Sequence, residues 1–214
     1  MKERPILFSA PMVRAILDGS KTQTRRVVKP VGKDDSFALV DYGDGWWPYR
    51  SDDGESSIRA DGNETPISCP YGKKGSRLWV RETWQAVNGN DRARHIVTHP
   101  APDRGWIEYA ATPRTDEPAY KWRPSIHMPR WASRITLEIT DVRVERLNSI
   151  SEADARAEGA PGYEEGIDAP PPDEDCEWSY YASYRRLWER INGSGSWDAN
   201  PWVWVVQFKR AATC

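Results

Sequence analysis

Residues 16–26 read ILDGSKTQTRR, an apolar helix exit followed at once by a polar, cationic run. Met12, Ala15 and Ile16 upstream fit one helical face, and Val13 and Leu17 widen it. Ser9 can cap this helix, Pro11 is tolerated in its first turn, and the pattern ends at Asp18. Gly19 then stands where a residue with left-handed backbone terminates a helix. A strand-length apolar run, RPILFSA (4–10), precedes the helix. The chain therefore opens as strand, helix and sharp turn, and the turn delivers Lys21, Thr24, Arg25 and Arg26.

Strands dominate the rest of the chain. FALVDYGDGWWPYR (37–50) has two strand-like arms around Gly-Asp-Gly and reads as a hairpin. SRLWVRETW (76–84) is a stronger strand, entered after Gly72 and Gly75, and WIEYAA (106–111) is a short strand in an otherwise loop-like stretch, 88–118. RITLEITDVRVERL (134–147) alternates Ile135, Leu137 and Ile139, then resumes with Val142 and Val144 after a phase shift near Asp141. Two strands, or one strand with a bulge, satisfy that pattern. SISEADARAEG (149–159) is a short helix with a capping-box start at Ser151 and Asp154, ending at Gly159. Tyr180 to Ile191 is an amphipathic helix with Tyr181, Tyr184, Leu187, Trp188 and Ile191 at helical spacing, and PWVWVVQFKR (201–210) is the last strand. Few helices among many strands predict an α+β fold, a single domain over 1–214 built on a small mixed β-barrel. Segments 32–70 and 88–130 read as loop-rich insertions into it, and 159–175 as an acidic Pro/Gly loop.

Composition narrows the function classes. A mean hydropathy of −0.78 is low, yet 12 tryptophans are present, and disordered chains are poor in aromatics, so the chain is expected to fold. A net charge of −2 provides no global field for nucleic acid or an anionic membrane. Charge is nevertheless blocked, basic around Arg14, Lys21, Arg25, Arg26, Lys29 and Lys33 and acidic between Ser151 and Trp178. Cys69, Cys176 and Cys214 are scattered and lack CxxC spacing, and no leader peptide is recognisable, so a reduced, cytoplasmic protein is expected. No apolar run approaches the roughly 20 residues of a membrane span, so no membrane partner is expected.

A threonine hydroxyl becomes a useful nucleophile only when a base removes its proton, and a lysine is that base only when burial or a cationic neighbour lowers its pKa. Lys21 and Thr24 are three apart, which in an extended strand puts them on opposite faces. They meet only if the chain stays turned just past Gly19. Spacing alone leaves a solvated turn as the alternative.

Four stretches in order resemble the ASCH domain family of the PUA-like superfamily. ILDGSKTQTRR resembles its G-x-K-x-x-x-x-R signature through Gly19, Lys21 and Arg26; GSRLWV, LNSISEADARAEG and WVWVVQFKR resemble its second strand, its short helix and its closing strand. The match covers about half of the chain, roughly 1–31, 72–86, 134–159 and 180–210. The resemblance implies a PUA-like barrel. Its branch of small bacterial N4-acetylcytidine amidohydrolases implies Thr24 as nucleophile, Lys21 as activating base and Glu158 as the partner that holds or protonates. KWRPSIHMPRWASR (121–134) resembles longer ASCH-like proteins of phages and prophages, which imply no particular activity. On this reading the protein is a cytoplasmic hydrolase that deacylates an N-acylated pyrimidine nucleoside or similar amide-bearing base. Backbone N–H groups or Arg26 would steady the oxyanion.

Two further groups extend the candidate site. Glu82 lies between Trp79 and Trp84 at a strand end, either as a pocket carboxylate or as the partner of Arg81 or another cation. KWRPSIHMPRWASR (121–134) gathers Trp122, Trp131, His127, Arg123, Arg130 and Arg134. Rings beside guanidiniums suit stacked bases and phosphates, so Trp79, Glu82, Trp84, His127, Arg130 and Trp131 are candidate substrate contacts with Arg26. They also leave two alternatives open. One is an RNA or modified-base binding module without catalysis; the other is a single-strand ribonuclease using His127 as acid or base. His95 and His99 are four apart, but Pro100 and the lack of nearby ligands argue against a metal, and no cofactor is expected. A nucleoside or single-stranded RNA is the expected partner; oligomeric state and exact substrate are not written in the sequence.

Overall fold

The structure, a computed structural model, describes residues 3–29, 37–41, 46–50, 67–88, 105–113, 121–160 and 179–211. Its elements in chain order are β1 (Glu3–Leu7), α1 (Ala10–Asp18), β2 (Gln23–Val27), β3 (Phe37–Asp41), β4 (Trp46–Arg50), β5 (Arg77–Arg81), β6 (Trp84–Asn88), β7 (Gly105–Tyr109), β8 (Thr136–Arg146), α2 (Glu152–Ala157), α3 (Tyr180–Asn192) and β9 (Trp202–Arg210). The class is mixed α+β. A central five-stranded sheet has the order β1-β5-β8-β9-β2, with β1 and β5 parallel and the other neighbours antiparallel.

β9 organises this sheet because its sequence is apolar on both faces. Trp204, Val206 and Phe208 face a core shared with Ile6, Phe8, Val13, Ile16, Leu78, Leu137 and Ile139. Val203 and Val205 face a second core with Leu147, Ile150, Ala155, Tyr184, Trp188 and Trp197. α1 covers the first face, and α2 and α3 cover the second. A strand buried on both sides reads as a continuous apolar run, as WVWVV does.

The phase shift near Asp141 is a register irregularity between Ile139 and Asp141 in one strand, β8. It lets Leu137 and Ile139 before the shift, and Val144 after it, reach the same core. Helix α1 starts after Ser9, but the Ser9 side chain makes no capping bond; its carbonyl accepts from Val13 N at 2.9 Å instead. Ser151 does cap α2, accepting from Asp154 N at 3.1 Å. The 37–50 hairpin forms as β3 paired with β4.

Two expectations change. SRLWVRETW is not one strand: the chain leaves the central sheet after Arg81, and Trp84 begins β6, which pairs with β7 in a separate ribbon. The break falls where Glu82 turns inward to an ion pair, which ends the apolar alternation of Leu78 and Val80. Nor do the described strands close into a barrel. β1 and β2 are the two edges of the sheet, and a side chain rather than a backbone ladder links them: Arg26 Nη2 donates to Leu7 O at 2.7 Å. The expected acidic loop falls mostly on 161–178 and the bulk of both expected insertions lies outside the described residues, as do His95 and His99.

Gly19 closes α1 at φ 88° with open space where a Cβ would stand. Gly159 follows α2 at φ 72°, and a Cβ there would lie 3.0 Å from both Ala15 Cβ and Lys21 Cβ. Gly19→Ala is expected to cost about 1 kcal/mol, the left-handed penalty alone. Gly159→Ala should cost about 3 kcal/mol, because overpacking against α1 and Lys21 adds to that penalty. Urea unfolding of the two variants checks the difference; equal losses would show that the 3.0 Å contacts relax freely.

Candidate active site

After Gly19 the chain does not enter the sheet directly. Lys21 N donates to Ala15 O at 2.8 Å, and Thr22 N donates to Ala157 O at 2.8 Å, so residues 20–22 run between the end of α1 and the end of α2. Lys21 and Glu158 form an isolated antiparallel bridge, and β2 begins only at Gln23. This turned segment frees Lys21 from the strand alternation that would have held it opposite Thr24. Its side chain is buried and its three N–H donors are all engaged: Glu158 O at 2.7 Å, Gln23 O at 2.8 Å and Glu158 Oε2 at 3.0 Å. None of these bonds goes to Thr24.

Burial pushes the Lys21 ammonium below its ordinary pKa, and the Glu158 carboxylate opposes that shift without cancelling it. Glu158 itself is held from two sides, since Arg25 Nη1 donates to Oε1 at 3.3 Å. Arg25 Nη2 continues to Glu145 Oε2 at 3.1 Å and Asp154 Oδ2 at 3.2 Å. Arg143 joins Glu145 through Nε and Asp154 through Nη2. Three cations, Lys21, Arg25 and Arg143, thus meet four carboxylates, Asp141, Glu145, Asp154 and Glu158. Asp154 resists protonation: burial would raise its pKa, but Arg25, Arg143 and the Ser151 hydroxyl together hold it below the usual carboxylate value.

Thr24 is buried in β2, opposite Val206 of β9. It lines a cavity of about 70 Å³, room for a group of a few heavy atoms. The wall is shared by Glu158, Arg25, Arg26 and Val27, by Met12 of α1, and by Tyr184, Leu187, Trp188, Ile191 and Asn192 of α3. Tyr184 stays a neutral phenol, because burial and the nearby Glu158 charge raise its pKa well above 10.0. Thr24, Glu158 and Arg26 therefore share one cavity, and Lys21 stands behind it, bonded to Glu158. Arg26 also lies over the Phe8 ring at 5.4 Å, next to Lys21 at 5.5 Å from the same ring.

The other candidate contacts lie elsewhere. Glu82, 1 % exposed, accepts a bidentate pair from Arg134, 2.9 Å from Nε and 2.9 Å from Nη2, so its partner is Arg134 and not Arg81. Trp84 is buried and meets Trp131 edge-on at 5.9 Å, with Met128 and Ala132 in the same small core. Trp79 is half-buried, with Arg81 and Arg130 near its ring at 5.1 and 6.0 Å. Arg130 bonds Glu3 at 2.6 Å, and His127 is exposed. None of Trp79, Glu82, Trp84, His127, Arg130 and Trp131 lines the Thr24 cavity. Among the described residues no group of three or more His, Cys, Asp or Glu side chains is placed to hold a metal ion, and no helix is long and apolar enough to cross a membrane.

Sequence reasoning missed Asp154, Glu145, Arg143, Tyr184 and Trp188 as parts of this site. The first three carried a local signal. Asp154 and Glu158 are four apart on a helical turn, and Arg143 and Glu145 are two apart on a strand, so each pair shares a face. Nothing local says that those faces meet.

The lowered Lys21 pKa has a definite sign. The folded state releases this proton at a lower pH than the unfolded chain, whose lysine titrates near 10.5. Between the two values the unfolded state binds more protons, so the stability contributed by position 21 rises with pH in that window. Lys21→Met leaves Glu158 without one partner and is expected to cost about 3–5 kcal/mol near neutrality. Urea unfolding of both proteins at increasing pH should show the gap widening as pH approaches 10.5; a shrinking gap would contradict the burial effect.

Comparison of the chain with protein-family models, with curated proteins and with solved structures finds no match, so the functional reading rests on this geometry and on the sequence.

Proposed function

We propose that the chain is a hydrolase that removes an acyl group from the exocyclic or amide nitrogen of a pyrimidine nucleoside or similar base, on a PUA-like scaffold of the ASCH type. The observation that carries this reading is the placement of Thr24 and Glu158 on one cavity wall, with a buried Lys21 of lowered pKa bonded to Glu158. The near approach of the sheet edges through Arg26 and Leu7 supports the barrel-like scaffold.

Chemistry follows from the hydrogen bonds. As an ammonium, Lys21 spends all three N–H groups on oxygen acceptors and has no lone pair to offer. Neutral Lys21 gives up one of those bonds, and its lone pair takes the Thr24 proton as Oγ1 attacks the acyl carbon. The proton then passes to the departing nitrogen, which leaves as the free amine. Water hydrolyses the threonine ester by the same route, releasing the acid and restoring Thr24. Glu158 holds the lysine in place and supplies the countercharge while it is protonated. Arg26, on the same wall, opposes the negative charge that develops on the carbonyl oxygen. A cavity of about 70 Å³ admits the acyl group and leaves the base and sugar outside it.

The test is incubation of the purified chain with N4-acetylcytidine and, separately, with labelled single-stranded RNA. Deacetylation is expected, little changed by added salt, since the substrate is neutral. Thr24→Ala and Lys21→Ala should each lower kcat by at least about a hundredfold, and Glu158→Gln should lower it with a shifted pH profile. Salt-sensitive RNA binding that survives Thr24→Ala, with no product from the nucleoside, would favour the binding module. RNA cleavage lost in His127→Ala would favour the ribonuclease.

A further inference from the structure

Three residues of the cavity wall carry a buried N–H that meets no acceptor among the described residues: Arg25 Nε, Arg26 Nε and Trp188 Nε1. Arg25 and Trp188 are 3 % and 5 % exposed. Unpaired buried donors are uncommon because each forfeits its hydrogen bond to water without replacement. All three belong to residues that line one small cavity, and a hydrogen-bond acceptor is what would relieve them.

Charge sharpens the class. The carboxylates of the cluster, Asp141, Glu145, Asp154 and Glu158, are all engaged by Lys21, Arg25 and Arg143. Arg26 stands outside that cluster: its Nη2 bonds the Leu7 carbonyl, its guanidinium lies over Phe8, and no carboxylate among the described residues pairs with it. Among the described residues, Arg26 is thus a wall cation without a carboxylate partner, on a wall that Glu158 shares. Size and shape narrow the choice again, since about 70 Å³ holds a few heavy atoms. Met12, Leu187, Val27 and Ile191 add an apolar wall, the last two being 39 % and 54 % exposed at the surface.

We propose that this cavity is a subsite for a short-chain carboxylate, whose oxygens accept from Arg26 Nε, Trp188 Nε1 and Arg25 Nε while its alkyl end rests on Met12 and Leu187. Only the identification of that anion as the acid released by deacylation rests on the proposed function; the binding does not. Acetate is then a competitive inhibitor of the hydrolase, and the substrates used are those with small acyl groups.

Saturation-transfer NMR on the methyl signal of sodium acetate tests the site directly, at constant ionic strength set with sodium chloride. Wild type should bind. Trp188→Phe keeps the ring and removes the donor, and Arg26→Lys keeps the charge and removes Nε. Each should weaken binding by about tenfold to a hundredfold, with circular dichroism unchanged. Absence of acetate binding to wild type overturns the proposal even if the enzyme turns over. So does undiminished binding in both donor variants, or displacement of acetate by equimolar inorganic phosphate. Donor-dependent acetate binding without any turnover sustains the subsite and sinks the hydrolase reading.

Discussion

A buried ammonium holds the two halves of this structure together. Lys21 reaches the end of α2 and satisfies its charge with two backbone carbonyls and one carboxylate. Its acceptors come from β2 and from the residue that caps α2, so this side chain joins the edge of the sheet to the second layer, together with Arg25. Gly159 must be a glycine-like residue there, because its Cα approaches the lysine stem too closely for a Cβ to fit without displacement. The C-terminal end of α2 also favours a cation, since its carbonyls carry the negative end of the peptide dipoles.

That anchor works because the sheet behind it is doubly buried. β9 presents Trp204 and Val206 to one core and Val203 and Val205 to the other, so β2, its neighbour, is held by a strand that cannot shift without exposing both. The irregularity in β8 serves the same end, returning Val144 to the face of Leu137 and Ile139 across an odd number of residues. With β2 fixed on one side, the free side of that strand lines a cavity. Thr24 and Arg26 reach the cavity there, and α3 supplies its far wall.

Most of the elements were legible because their signals are local. Gly19 and Gly159, the Ser151 cap, the β8 phase shift and the spacing of α3 are each decided within a few residues. Deciding whether the strands close into a barrel required knowing how the two edges meet, and that contact joins Arg26 to Leu7 across a helix. The split at Glu82 was hidden for a similar reason: its partner Arg134 lies 52 positions away. At the site, Lys21, Thr24 and Glu158 came from resemblance and not from spacing. The rest of the charge cluster was invisible because pairs on separate faces meet only in three dimensions. The tryptophan-rich segment 121–134 shows the converse. Its composition suggested stacking on a ligand, whereas Trp131 packs on Trp84 and Arg134 is committed to Glu82.

The energetics of the cluster argue for a purpose other than stability. A buried ion pair recovers little more than the cost of desolvating its members, and well-packed apolar residues of the same volume commonly do as well or better. Here the cost is compounded, because a lysine whose pKa is already lowered has Arg25 and Arg26 near it, and the Nε–H of each meets no acceptor among the described residues. A scaffold built only to fold would fill that space with side chains like those of the neighbouring core. What the polar arrangement provides is a countercharged lysine bonded to Glu158, which shares a cavity wall with Thr24. On the proposed reading, that arrangement would serve to pass a proton and to receive an acid.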